Sequence, residues 1–322
     1  MLVCVCAFES EPPAAAGVCS KSIEHESNFK INRPLPQAVL TTLRVLITGG
    51  SGYLGTHVRS FFQAEDFSRR SHLDMLSPLD ATRMSAYEVV IHLAAHLSKN
   101  PADAEECFRA NVEGTVNLLR EMEPNSVFIF ASTKDIYGAH ADDYGEVPED
   151  CSTEYCGQSP LEWSKLIAER YIEYFSAQRN FRSCIFRLST VYARPSEGNE
   201  NGIVTHYVES IKRGWPMRVP LEGKPIRDIL HVEDFSRACQ SFIDSSVTHG
   251  LYNLGGGRAN SLSLRDIIDK VAEMIQCNPV LDEANPLPAP VPLHYVSNLN
   301  HIREELGWEP QIGIEQGLRS LL

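Results

Sequence analysis

One junction constrains this chain more than any other. Arg44-Val-Leu-Ile-Thr48 runs straight into Gly49-Gly50-Ser51-Gly52-Tyr53-Leu54-Gly55, and Thr56 to Gln63 then carries Val58, Phe61 and Phe62 at helical spacing. A short β-branched apolar run of this kind is a strand buried on both faces. The glycines read as Gly49-x-x-Gly52-x-x-Gly55, and equally as Gly50-x-Gly52-x-x-Gly55. One glycine permits a tight turn, one lets a diphosphate approach the backbone, and one lets the helix pack on the strand. The first N–H groups of the helix then face the phosphates with a partial positive charge. Strand, glycine turn and helix together predict a dinucleotide site.

The next segment bears on which dinucleotide. In such units the second strand normally ends in an acid that binds the ribose hydroxyls of NAD. Here it is Glu65-Asp66-Phe67-Ser68-Arg69-Arg70-Ser71. If the strand ends near Ser68, Arg69 and Arg70 fill the position, and two guanidinium groups suit the 2′-phosphate of NADP. If Asp66 ends it, NAD is favoured. His72 to Leu76 reads as the following short strand, with Asp74 and Met75 bordering the adenine. Glu88 to Ala95 is a further buried strand whose end, Leu93-Ala94-Ala95, leaves room for ribose and nicotinamide. A helix over 104–122 and a strand over Ser126–Ala131 follow. This alternation predicts an α/β fold with a doubly wound parallel sheet.

Composition bounds the rest. The 322 residues are 43% hydrophobic and 22% charged, which excludes a disordered or fibrous chain. A formal charge of -13 excludes a broad surface for nucleic acid or anionic membrane. No apolar run approaches the ~18 residues of a membrane-spanning helix. Nine cysteines at scattered spacings fit neither a zinc set nor a disulfide framework, and predict thiols in a reducing, cytoplasmic setting. Residues 1–43 carry four prolines and little periodicity, and their acidic residues make them a poor secretory or mitochondrial leader. They read as a disordered extension.

With these motifs in hand, the chain resembles the extended short-chain dehydrogenase/reductase family, the nucleotide-sugar epimerases, dehydratases and reductases. The resemblance rests on Thr48 to Gly55, His92-Leu-Ala-Ala95, Asn111-Val-x-Gly-Thr115, Ser132-Thr-x-x-Ile-Tyr-Gly138, Trp163-Ser-Lys-Leu166, Arg187-Leu-x-x-Val-Tyr192, Arg227-Asp-Ile-Leu-His-Val-Glu-Asp234, Tyr252-Asn-Leu-Gly-Gly256 and Glu305-Leu-Gly-Trp-Glu-Pro310, in family order over about residues 44–322. Asn253–Leu264 and the ending look most like sugar epimerases such as CDP-tyvelose 2-epimerase, whereas the short stretch from Gly55 to Val89 looks more like dTDP-4-dehydrorhamnose reductases.

The resemblance implies a Rossmann-type domain over 44–190 and 227–255, and a smaller discontinuous substrate domain over 191–226 and 256–322. It implies NAD or NADP held by Gly49, Gly52, Tyr53, Leu54, Gly55, Arg69, Arg70, Asp74, Met75, Leu93, Ala94, Ala95 and Lys165. It implies a nucleotide-sugar substrate, and a homodimer formed through the helices near 104–122 and 160–177. The family base is a tyrosinate in Tyr-x-x-x-Lys, assisted by a Ser or Thr. A free phenol titrates near 10 and needs adjacent positive charge to ionise at neutral pH.

Three departures stand out. Ser159-Pro160-Leu161-Glu162-Trp163-Ser164-Lys165 aligns with the family's Ser-Pro-Tyr-x-x-Ser-Lys, so Leu161 stands at the tyrosine and cannot carry a proton. Thr133 aligns with the assisting hydroxyl, but Lys134-Asp135 replaces the Asp-Glu of the dehydratases. Lys134, Asp135, Tyr155, Cys156 and His96 are the candidate replacements for the phenol. Thr190 stands where an Asn often binds substrate, while Arg227 matches the arginine that contacts the diphosphate or else pairs with Asp228 or Asp234. His231 reads as a packed residue. Two readings stay open: an epimerase or ketoreductase with a relocated proton carrier, and a non-catalytic dinucleotide-binding sensor or scaffold. Beyond the site, 201–214, 232–244 and 263–276 read as core-facing amphipathic helices, and Pro286–Pro292 as a rigid loop.

Overall fold

The computed structural model describes residues 43–199 and 201–322. The extension read over residues 1–43 lies, apart from Leu43, outside the described residues. The chain begins with β1 (Val45–Thr48), α1 (Tyr53–Phe62), β2 (Glu65–Phe67), the short α2 (Pro78–Ala81) and β3 (Val89–His92). A helical arm follows as α3 (Ala104–Phe108), a π-helical turn at Arg109–Glu113 and α4 (Gly114–Arg120). Then come β4 (Val127–Thr133), the long α5 (Pro160–Arg179), β5 (Arg182–Leu188), β6 (Thr190–Tyr192), α6 (Ile203–Arg213) and β7 (Pro216–Met217). β8 (Ile226–His231), α7 (Val232–Asp244), β9 (His249–Leu254), β10 (Ser261–Ser263), α8 (Leu264–Ile275) and β11 (Val280–Leu281) complete the elements used below.

Six strands form one parallel sheet in the order β2-β1-β3-β4-β5-β9. Alternate residues of a strand point to opposite faces, and here both faces are apolar. Ile47, Val89, Ile91 and Ile129 pack with Val58 of α1 and Phe235, Ala238 and Phe242 of α7. Leu46, Val90, Phe128 and Phe130 pack with Leu118 and Leu119 of α4 and Ala168 and Ile172 of α5. Helices thus cover both faces, which is the doubly wound Rossmann-type arrangement expected from the sequence.

A smaller body follows. β10, β8 and β6 make a three-stranded sheet, and β7 pairs with β11. Val204, Tyr207, Val208 and Ile211 of α6 meet Leu264, Ile267, Ile268 and Val271 of α8 in a separate core, so the amphipathic faces read from the sequence are buried as expected. The sequence assigns the whole of 227–255 to the large sheet. The structure places α7 and β9 there, but β8 in the small sheet between β6 and β10.

One expected strand is absent. His72–Leu76 forms turns, because the Asp74 carboxylate accepts from Leu76 N–H at 2.9 Å and Asp74 N–H donates to the Asp80 carboxylate at 3.0 Å. Side-chain bonds of this kind compete with strand pairing. Among the described residues no helix is long and apolar enough to cross a membrane.

Candidate active site

The glycine turn is built as its spacing requires. Gly49 has φ +69, and a Cβ there would lie 2.8 Å from Ala94 N. A Cβ on Gly55 would lie 2.0 Å from Gly49 O, so only glycine lets α1 sit this close to the turn. Gly52 caps α1 and accepts from Thr56 N–H at 3.0 Å. Tyr53 and Leu54 open the first turn, whose N–H groups have no partner inside the helix. The Tyr53 hydroxyl is turned away, to the Ala193 backbone at 2.8 and 2.9 Å and to Thr205 Oγ1 at 2.7 Å.

A cavity of about 820 Å³ opens at the carboxyl ends of β1, β2 and β3, at the point where strand order reverses. Gly49, Gly52, Arg69, Arg70, Asp74, Met75, Ala94 and Ala95 line it. Leu93 packs instead against the core. β2 ends at Phe67, so Ser68 and the two arginines follow it directly. Asp66 faces the glycine turn: its carboxylate takes a bond from Ser68 Oγ at 2.8 Å, and its Oδ1 is 2.7 Å from where a Gly50 Cβ would be. Arg70 donates to Ser51 O at 2.8 Å and Gly198 O at 2.7 Å. The Arg69 guanidinium makes no hydrogen bond or ion pair among the described residues, and only its carbonyl is engaged, accepting from His72 N–H at 3.2 Å. The cavity, the cradle that a Cβ would fill and the arginines fit a nicotinamide dinucleotide.

Buried polar residues tie this cavity to the next strand. His92, at the end of β3, bonds Thr48 Oγ1 through Nδ1 and Thr115 Oγ1 through Nε2. Burial holds its ring neutral, with the pKa pushed down to about 3, and nearby Lys165 adds to the shift. Asn111, in the π-helical turn, donates to Ser164 Oγ on α5 at 2.8 Å and accepts from His96 N–H at 2.7 Å. His96 itself lines the first cavity.

A second cavity of about 510 Å³ lies at the ends of β4 and β5. Thr133, Lys134, Asp135, Thr190 and Arg227 all line it, together with Lys99, Ser159, Glu162 and Ser189. Thr133 ends β4, and its Oγ1 accepts from Asp135 N–H at 3.2 Å. Burial lowers the Lys134 pKa, and the Asp135 carboxylate opposes that shift. Burial would raise the Asp135 carboxyl, but the Lys134 and Lys99 ammonium groups outweigh it and hold the carboxyl well below its usual range. Arg227 pairs with neither Asp228 nor Asp234. Its guanidinium donates to Ile226 O at 2.6 Å, Leu293 O at 2.8 Å and Pro292 O at 2.8 Å.

Other candidates fall elsewhere. Tyr155 is 69% exposed and stacks on Trp163. Cys156 Sγ accepts from Ala139 N–H at 3.2 Å. Neither lines either cavity. Tyr137 is fully buried, donates to Asn253 and accepts from Arg187. His231 caps α7. Leu161 is buried in the first turn of α5. Lys165, one turn on, is buried too; its ammonium donates to Ala131 O at 2.7 Å, beneath the sheet and outside both cavities.

Sequence reasoning missed Lys99, Glu162 and Ser189. Lys99 lies in no motif. Glu162 carried a signal, because Ser159-x-x-Glu162 is a capping box, and the structure forms it.

A glycine cradle and a polar cavity on adjacent strand ends of a doubly wound parallel sheet define the class: an α/β protein of the Rossmann type. The family model for the NAD dependent epimerase/dehydratase family matches residues 45–255, and the chain belongs to that family. It is 26% identical to CDP-paratose 2-epimerase of Salmonella typhi, over 87% of this chain and 98% of that protein. In fold it is similar to MoeE5 in complex with UDP-glucuronic acid and NAD, with a TM-score of 0.75, 23% identity, and 86% and 97% of the two chains covered. It is likewise similar to RMD from Pseudomonas aeruginosa complexed with NADPH, with a TM-score of 0.73, 22% identity, and 87% and 98% covered.

Proposed function

We propose that this protein is an NAD(P)-dependent nucleotide-sugar epimerase or ketoreductase that works with a proton carrier other than the family tyrosine, whose place Leu161 takes. The observation that carries the reading is the second cavity, where Thr133, Lys134, Asp135, Thr190 and Arg227 converge at the strand ends. A nicotinamide dinucleotide, when bound, supplies hydride exchange at a sugar carbon.

In this reading the turn from Gly49 to Gly55 holds the diphosphate, and Asp74 and Met75 border the adenine. Ala94 and Ala95 leave space beside the nicotinamide. Ser68, Arg69 and Arg70 follow β2 directly, which supports NADP over NAD, since a guanidinium pair matches a phosphate. Thr133 hydrogen-bonds the reacting oxygen and Thr190 orients the sugar. Arg227 faces the substrate diphosphate with its charge unneutralised by any carboxylate in bonding range among the described residues. A homodimer belongs to the same reading: Phe108 on α3 and Trp163, Tyr171 and Tyr174 on α5 are exposed large apolar side chains on the helices concerned.

Purified protein incubated with CDP-, UDP- and dTDP-sugars and either coenzyme tests the proposal. Expected are a change in nicotinamide absorbance and an altered sugar by product analysis. The second reading, a non-catalytic sensor, is favoured by the buried Leu161 and the core-facing Lys165 ammonium. It requires tight coenzyme binding with no conversion of any sugar in that panel.

A further inference from the structure

Four charged groups form a chain along the wall of the second cavity: Lys134, Asp135, Lys99 and Glu162. Asp135 pairs with Lys134 through Oδ1 and with Lys99 Nζ through Oδ2 at 2.7 Å. Lys99 Nζ also lies 2.9 Å from Glu162 Oε1. The other Glu162 oxygen closes the capping box, accepting from Ser159 N–H at 2.7 Å. Side-chain exposures are 8%, 19%, 54% and 4% along the chain. Lys99 alone reaches the open space. Lys134 is turned under the Tyr295 ring, its Nζ 5.1 Å from the centroid.

From this geometry we propose that Lys99 carries the proton to and from the reacting sugar oxygen, the task that Leu161 cannot perform. The inference rests on the nucleotide-sugar reading above. An ammonium and a phenol have similar intrinsic proton affinities, near 10, whereas a free carboxyl titrates near 4. Lys99 is therefore the cavity group that best matches the absent tyrosine. Asp135 and Glu162 face it from the β4 end and from α5, with Lys134 and Arg227 behind them, and the two carboxylates favour the ammonium. At rest the group is an acid, suited to reducing a keto-sugar. The step balances as an O–H bond formed at the sugar oxygen and an N–H bond broken at Nζ, while the carbonyl carbon takes hydride from a reduced nicotinamide dinucleotide. The amine left behind regains its proton from water.

The experiment compares wild type, Lys99→Ala, Lys99→Met and Lys99→Arg with keto-sugar nucleotides and reduced coenzyme. Coenzyme affinity, by fluorescence, is expected to stay within threefold in all four. Activity is expected to fall ~10²-fold or more in the Ala and Met variants. Added primary alkylamines should restore Lys99→Ala, with a rate that depends on amine pKa, and Lys99→Arg should stay slow because guanidinium does not give up its proton. As a readout independent of turnover, the Lys99 Nζ resonance, assigned by its loss in Lys99→Met, should titrate lower in Asp135→Asn than in wild type. Full activity in Lys99→Ala, full activity in Lys99→Arg, or no amine rescue overturns the inference while leaving the enzyme reading in place. No conversion of any nucleotide sugar by wild type overturns both.

Discussion

The Lys165 ammonium donates to the Ala131 carbonyl at 2.7 Å and lies 4.5 Å from the Phe130 ring centroid, with no carboxylate in bonding range among the described residues. Burial pushes its pKa down to about 7, opposed by the charge of Glu169. An unfolded lysine titrates near 10.4. Between pH 7 and about 10 the unfolded chain holds a proton that the folded chain lacks, so stability rises with pH across that window. Below pH 7 the folded protein bears the full cost of a buried charge. Lys165→Met should therefore be more stable than wild type at pH 6 by a few kcal/mol, and the gap should shrink by pH 9. Urea unfolding at the two pH values measures it; a gap that does not narrow contradicts the assignment.

Arg187 and Glu169 form a fully buried pair behind the site, with Nη2 2.8 Å from Oε2. Glu169 also accepts from the Ser132 hydroxyl, and Arg187 Nη1 donates to the Tyr137 hydroxyl oxygen at 2.9 Å. Glu169→Gln leaves the guanidinium buried without its counter-charge. The expected loss is about 3–5 kcal/mol, read as a lower denaturant midpoint. A change under about 1 kcal/mol means that the pair is not the support it resembles.

Arg69 and Arg70 should separate in calorimetry. Arg69 is uncommitted, so Arg69→Ala should weaken NADPH about tenfold, the worth of one charge-assisted bond, and leave NADH nearly unchanged. Arg70 also braces Ser51 O in the glycine turn, so Arg70→Ala should weaken both coenzymes. Equal loss of both coenzymes in Arg69→Ala argues against the 2′-phosphate contact.

Leu161 is 7% exposed in the first turn of α5. Leu161→Tyr adds volume to a packed position, at a cost of about 1–3 kcal/mol. With the proton carried by Lys99, turnover should change less than tenfold. A large gain would show that the machinery waits only for the phenol.

Much of the fold was legible because its signals are local. The strand at Arg44–Thr48, the glycine triplet and the amphipathic faces of α6, α7 and α8 each obey a short-range rule of periodicity or backbone sterics, and each forms where that rule places it. His72–Leu76 misled because an apolar pair between polar residues reads as a strand, while two Asp side chains satisfy the backbone as turns. β8 misled because sequence order does not say which of two sheets has an open edge.

The site divides in the same way. The amino-acid order alone determined the glycine turn, since position 49 takes a positive φ and a Cβ at position 55 would meet the turn's own backbone at Gly49 O, and it determined that Leu161 carries no proton. Only the tertiary structure decided that Lys99, thirty-six residues before Asp135, meets both that carboxylate and Glu162 over one cavity. It also decided that Tyr155 stands outside. Such convergence depends on how β3, β4 and α5 pack side by side, and charge pairing between distant loops leaves no period in the sequence to read.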